Sequence, residues 1–166
     1  MVPAELPGLK RPGGFSFAEL LLVVGVVGLL AAASLPYFIT YWQRAKLRAG
    51  AEELATLVNQ ARQTAINNNC TVTVALSSSR VQFSLGTTCP RPPYCGSLPC
   101  NWRGPGTDSN GNFTLANGEL VTAATANPIF NYLGAANTFG TFTVRNPTDG
   151  RTLSVVVASS GRVTIQ

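Results

Sequence analysis

No histidine occurs anywhere in the chain, which removes the commonest metal ligand and the side chain most often used as a general base near neutral pH. Charge is scarce as well. Only 11% of the 166 residues are Asp, Glu, Lys or Arg, and Glu19 is the sole charge between Arg11 and Arg44. Beyond residue 69 the acids are Asp108, Glu119 and Asp149, which fall in separate loops or turns. An enzyme needs paired carboxylates or a nucleophile beside its base. None is visible, so an enzymatic role stands only as the rival from another class. Gly104-Pro105-Gly106 lacks the Lys-Ser/Thr that a phosphate loop carries into its helix. Asp108-Ser109-Asn110-Gly111 opens like a calcium loop, but no glutamate follows at the closing distance, and an ordinary Asx turn explains it. No cofactor and no metal are expected.

Cysteine is limited to Cys70, Cys89, Cys95 and Cys100. Their spacing contains no C-x-x-C pair, which argues against a zinc site. An even number of cysteines following an apolar segment fits an oxidising compartment and two disulfides.

What the chain does have is one long apolar run. Residues 15 to 39 read FSFAELLLVVGVVGLLAAASLPYFI. At about 1.5 Å per residue this stretch is long enough as a helix to cross a hydrocarbon core of about 30 Å. Lys10 and Arg11 precede it, so the positive-inside bias keeps that end cytoplasmic and places the residues beyond Ile39 on the outer side. A cleaved secretory signal, cut near Ala31-Ala32-Ala33-Ser34, is the rival reading and would release a periplasmic binding domain. Against it, helical patterning continues well past the cut. Pro36 lacks an N–H and crowds the preceding turn, so a kink is expected there.

The pattern then changes. Leu47, Ala51, Leu54, Val58, Ala61 and Ala65 recur at alternating steps of four and three, the mark of an amphipathic helix over residues 40 to 69. Asn67-Asn68-Asn69 ends it. From Cys70 the period becomes two: Thr71 to Leu76, a serine turn, and Arg80 to Leu85 form a β-hairpin. Folding that hairpin brings Cys70 within reach of Cys89. This favours Cys70–Cys89 and Cys95–Cys100 among the three possible pairings.

Residues 86 to 112 read as a Cys-rich loop. Strands come next at 113 to 115, 128 to 133, 139 to 145, 153 to 158 and 163 to 165, with a turn at Asn146-Pro147-Thr148-Asp149-Gly150. The expected fold is α+β: a long N-terminal helix against a mostly antiparallel sheet. The expected organisation is a leader at residues 1 to 14, a membrane helix at 15 to 39, an amphipathic helix at 40 to 69 and a β-rich domain at 70 to 166. Tyr41 and Trp42 suit either a membrane interface or helix packing, and Trp102 is expected to cover an end of the sheet.

Glu19 is the awkward residue. A carboxylate in hydrocarbon costs about 2.5–3.5 kcal/mol even on lenient insertion scales, and nothing basic lies near it in the run. The block Lys10-Arg11-Pro12-Gly13-Gly14-Phe15-Ser16-Phe17-Ala18-Glu19-Leu20-Leu21 resembles the class III signal of type IV pilins and pseudopilins. The resemblance implies cutting after Gly14 by a prepilin peptidase and methylation of the new N-terminal Phe15. It makes Glu19 the fifth residue of the mature chain, the position that pairs with the terminal amine of a neighbouring subunit. Pro36 becomes the twenty-second, where many members carry a helix-breaking proline. The family usually has Thr-Leu where this chain has Ser16-Phe17.

Ala61-Arg62-Gln63-Thr64-Ala65-Ile66-Asn67-Asn68-Asn69 with Thr71-Val72-Thr73-Val74, and Val155-Val156-Val157-Ala158-Ser159-Ser160-Gly161-Arg162-Val163, are similar to the helix end, first strand and closing strands of the GspH and FimT group. The Cys-rich loop is not part of that group's common pattern. The resemblance implies a minor pseudopilin of a type II secretion pseudopilus, held in the inner membrane with its C-terminal domain periplasmic and assembling with other pilin or pseudopilin subunits. The alternative it implies is a FimT-like minor type IV pilin serving pilus biogenesis or DNA uptake. In the DNA-binding branch the tail is Gly-Arg-x-Arg, and here Gly161-Arg162-Val163-Thr164 lacks the second arginine.

The formal charge of +5 falls only to +4 without residues 1 to 14, since Lys10 and Arg11 leave together with Glu5. A surface of this sign attracts phosphate or anionic lipid, although it is also ordinary for a solvated domain. Arg145, Arg151 and Arg162 are the candidates for a basic patch on DNA, where phosphate contacts carry affinity rather than sequence choice.

Overall fold

The computed structural model describes residues 14–166. The leader expected at 1 to 14 therefore lies, apart from Gly14, outside the described residues. The described residues form one helix, α1 (Phe17–Asn67), followed by ten strands, and they divide into a unit ending at Thr40 and a unit Tyr41–Gln166.

In the first unit the helix is exposed along its whole length and is long and apolar enough to cross a membrane. Leu20 N–H donates to the Ser16 carbonyl at 3.1 Å, which makes Ser16 the N-cap and Glu19 the third helical residue. Ser16-Phe17-Ala18-Glu19 is thus a capping-box sequence. The helix is continuous through Pro36, and the Thr40 hydroxyl donates to the Pro36 carbonyl at 3.0 Å.

In the second unit the stripe Leu47, Ala51, Leu54, Val58, Ala61 and Ala65 is buried, and Gly50 joins it. The strands are β1 (Val72–Ser77), β2 (Arg80–Leu85), β3 (Cys100–Asn101), β4 (Asn112–Phe113), β5 (Leu120–Ala124), β6 (Ile129–Phe130), β7 (Ala136–Thr138), β8 (Gly140–Arg145), β9 (Thr152–Val157) and β10 (Val163–Ile165). They build two sheets instead of the expected one. The first has the order β3-β2-β1-β6-β7 with β4 also on β2, and the second has the order β10-β9-β8-β5. All strand pairings are antiparallel.

The β1–β2 hairpin runs in register from Val72↔Leu85 to Ser77↔Arg80. Ser78 and Ser79, with φ of 48° and 64°, supply the left-handed pair whose twist matches the strands. The helix stripe packs into one core with Phe83 and Phe130 from the first sheet and Phe142, Val144 and Val155 from the second. Burying a side chain of this kind contributes about 1.5–3 kcal/mol.

Three strands depart from the expected pattern. β3 lies inside the loop expected at 86 to 112, where Cys100 and Asn101 pair with Leu85 and Ser84. β5 is built from Leu120-Val121-Thr122-Ala123-Ala124, a short run interrupted by a register shift between Val121 and Ala123, so its alternation is too brief to register. β7 has only three residues. Disulfides join Cys70 to Cys89 and Cys95 to Cys100. Trp102 stacks on Phe113 with ring centroids 5.9 Å apart and lies 5.8 Å from Phe83, packed against the core beside β2.

Candidate functional site

The first unit carries the residues expected to act in processing and assembly. Gly14 has open space around its Cα, Phe15 is 83% exposed, and Glu19 sits exposed in the first turn of α1. Partial positive charge from the helix dipole favours an acid in that turn. Among the described residues no cation pairs with Glu19. Its carboxylate is therefore available to a partner outside the chain. Pro36 lies in the same helix, seventeen residues on.

The second unit divides the three candidate arginines. Arg145 pairs with Thr152 at one end of β9, and Arg151 precedes that end. A Cβ placed on Gly150 would lie 3.8 Å from Arg145 Nη2, so both arginines flank the β8–β9 turn. Arg162 lies beyond the other end, where Val163 pairs with Val157. Five residues of strand separate the two ends, about 17 Å at the usual rise. A single patch of Arg145, Arg151 and Arg162 is not what the fold builds.

What the turn meets instead is α1. Asn146 is 1% exposed. Its Nδ2 donates to Gln43 Oε1 at 2.8 Å while its Oδ1 accepts from Thr148 N–H at 2.8 Å. With the turn so held, Arg151, Thr152 and Leu153 face Arg44, Leu47 and Arg48 across an open cleft of about 550 Å³. Arg48 Nε reaches Glu52 Oε1 at 2.9 Å with both side chains exposed. Arg151 Nε lies 3.4 Å from Asp149 Oδ2. Among the described residues Arg44 has no hydrogen-bond or ion-pair partner. Sequence reasoning found Arg151 but not Arg44 or Arg48, because nothing local shows which strand a helical arginine will face.

A second feature escaped the sequence altogether. Glu119 is 3% exposed, and its Oε2 has no hydrogen-bond partner among the described residues. A Cβ on Gly50 would lie 2.8 Å from Glu119 Cγ, so the helix meets the Glu119 side chain, just before β5, too closely for a side chain at position 50 unless Glu119 shifts. Burial raises the Glu119 pKa from its ordinary 4.5; Lys46 works against that rise and Asp149 adds to it. The preceding loop is tied to the helix by Ala116 N–H, which donates to Glu53 Oε2 at 3.0 Å. Lys46 Nζ also lies 5.9 Å from the Trp42 ring centre.

Asp108 has the opposite character. Its Oδ1 accepts from the N–H groups of Asn110 and Asn112 at 2.8 and 2.9 Å, an Asx turn that occupies its lone pairs. The Asn112 side-chain amide is the largest cause of a lowered pKa. Among the described residues no group of three acidic or cysteine side chains is placed to hold a metal.

Residues 50–161, which carry most of the buried helix stripe and the antiparallel sheets, match the model of the family described as type II transport protein GspH. The chain belongs to the GspH family. It is thus a pilin-like structural subunit of the minor pilin and pseudopilin kind. Its N-terminal helix, which precedes the matched residues, is long and apolar enough to cross a membrane. Two fimbrial proteins of Pseudomonas aeruginosa are each 28% identical to it over 80 residues, 48% of this chain and 51% of theirs. The chain spans about half the length of the curated relatives it matches. The type IV minor pilin FimU of Pseudomonas aeruginosa strain PAO1, solved in two crystal forms, is similar with TM-scores of 0.48 and 0.45 at 19% and 20% identity. Those matches cover 76% and 72% of this chain and 92% of FimU.

Proposed function

We propose that this GspH-family chain is a minor pseudopilin of a type II secretion pseudopilus, made as an inner-membrane precursor with its second unit periplasmic. A prepilin peptidase cuts after Gly14, Phe15 becomes the methylated N-terminus, and other pseudopilin subunits assemble around the helix. The observation that carries this reading is Glu19, a lone exposed acid in the first helical turn with no partner among the described residues of its own chain. The amine created at Phe15 of a neighbouring subunit supplies that partner, and pairing offsets the cost of a carboxylate in an apolar filament core. Pro36 gives the helix a point lacking one backbone hydrogen bond, where it can adapt in the filament.

The test is co-expression with a prepilin peptidase, followed by N-terminal mass analysis and filament recovery. Processing should leave Phe15 methylated at the terminus. Glu19→Ala should insert and be processed but fail to enter filaments. Normal assembly of that variant would remove the pairing argument.

The similarity to fimbrial proteins favours a second reading, a FimT-like minor type IV pilin in pilus biogenesis or DNA uptake. Deleting the gene distinguishes the two: lost exoprotein release supports the secretion role, and lost pili support the other. For DNA, gel mobility of a short duplex with the full chain and with Arg162→Ala is the direct measurement, and a shift that Arg162→Ala abolishes at low salt supports uptake.

A further inference from the structure

The cleft between α1 and the β8–β9 turn has no role in either reading of the family. We infer that Arg44, Arg48 and Arg151 form a binding site for the phosphodiester headgroup of an anionic phospholipid, on the outer leaflet of the membrane that holds the helix. The inference rests on the membrane anchoring proposed above.

Four observations carry it. The cleft, about 550 Å³, is lined by three guanidinium groups with Thr152 beside them, which is phosphate-binding chemistry of suitable size: forked N–H donors and a hydroxyl. It is also held open in advance, because the buried Asn146 amide fixes the turn to Gln43. Its existing ion pairs do not close it. Arg48 and Glu52 are 77% and 57% exposed, and Arg151 and Asp149 are 43% and 25% exposed. Pairs so open to water hold their partners weakly. Arg44 has no partner among the described residues.

The third observation is position in the chain. Arg44 follows Ile39, the last residue of the apolar run, by five residues. Five residues reach at most about 18 Å even when fully extended, so the cleft is tethered close to the headgroups, where tethering raises the effective lipid concentration. Tyr41 and Trp42, 69% and 52% exposed, occupy the same few residues, and such aromatics favour the headgroup layer.

The fourth is charge placement. Lys10 and Arg11 flank the run on one side, while Arg44, Lys46 and Arg48 flank it on the other. Three cations on the translocated side oppose the positive-inside bias. Lipid phosphate would offset that cost.

The test uses the full chain in nanodiscs containing equal amounts of phosphatidylcholine and phosphatidylglycerol, with lipids retained after mild detergent release counted by native mass spectrometry. Wild-type protein should retain phosphatidylglycerol preferentially. Arg44→Gln, Arg48→Gln and Arg151→Gln should each lower that preference about fivefold. Arg80→Gln, on the β1–β2 hairpin and paired with Asp108, should leave it unchanged. Equal retention of the two lipids, or an equal loss in Arg80→Gln, overturns the site. Complete displacement of the lipid by inorganic phosphate, or by a short DNA duplex at matched phosphate concentration, assigns the cleft to a free anion or to DNA and overturns the lipid assignment. Carbonate extraction separates the two levels of inference. Chain found in the soluble fraction removes both the anchoring and the lipid site, whereas chain in the membrane pellet with no lipid preference removes only the latter.

Discussion

Asn146 and Gln43, 103 positions apart, meet through a 2.8 Å hydrogen bond from Nδ2 to Oε1, and this contact fixes the β8–β9 turn to the helix. Asn146 is almost fully buried, so its amide cannot exchange the helix for water. Leaving one buried polar group unpaired costs about 1–3 kcal/mol.

Asn146→Ala should therefore lower stability by about 1–3 kcal/mol, because it removes the bond to Gln43 and strands the Thr148 N–H that its Oδ1 accepts. Gln43→Leu should cost a similar amount by leaving the Asn146 donor unpaired. Denaturant unfolding of the two single variants and the double variant checks this. The double variant should be less destabilised than the sum of the singles.

Gly50→Ala tests a conflict between two rules. Alanine is favoured over glycine inside a helix by about 1 kcal/mol, so an exposed site would gain stability. At this site the new Cβ would sit 2.8 Å from Glu119 Cγ and 3.0 Å from its Cβ. Overpacking of that kind costs about 1–3 kcal/mol. Thermal unfolding should show a net loss for Gly50→Ala alone, and adding Glu119→Ala, which removes the Cγ contact but keeps the one at Cβ, should recover part of that loss.

Glu119 predicts a pH dependence with a definite sign. Its folded pKa is raised, first by burial and then by Asp149, against the pull of Lys46. The folded state thus binds the proton more tightly than the unfolded state, so its favourable contribution is complete below the unfolded value of about 4.5 and is lost as pH rises through the folded value. Asp108, whose pKa is lowered chiefly by the Asn112 amide, acts in the other direction: its contribution is present above 3.8 and is lost as pH falls through its folded value. Melting temperatures on both sides of 4.5 should show Glu119→Gln raising stability on the alkaline side and changing little on the acid side. An unchanged pH profile in Glu119→Gln would contradict this.

Much of the fold was legible because it rests on periodicity. The stripe from Leu47 to Ala65 and the alternation in residues 71 to 76 and 80 to 85 each repeat often enough to define a face. Gly50 was not legible, since a glycine adds nothing to a hydrophobic count and its burial follows from how closely the Glu119 side chain approaches. β3 and β7 are two and three residues long, too short for a period to appear. The basic cleft was half legible. Arg151 was singled out beside a recognised turn, but its meeting with Arg44 and Arg48 depends on a contact between residues about a hundred positions apart. The pairing of Arg162 with the other two failed for the same reason: the strand between them carries it to the opposite end.

The two disulfides should differ in worth. Cys70 and Cys89 are 2% and 5% exposed, within the core, and close a segment with a separation of 19. Cys95 and Cys100 close one of 5. On the chain-entropy account the longer loop contributes about 3 kcal/mol and the shorter about 2 kcal/mol. Burial widens the gap, because both partners of the first bridge lie in the core, so removing it leaves two polar thiols or hydroxyls there, whereas Cys100 of the second is only partly buried. Cys70→Ser/Cys89→Ser should therefore lower the denaturant midpoint more than Cys95→Ser/Cys100→Ser. The second pair should mainly free β3 from Ser84 and Leu85, and hydrogen exchange should show this as lost protection confined to residues 100 and 101. Equal midpoints for the two double variants would mean that loop length and burial do not set the stabilisation here.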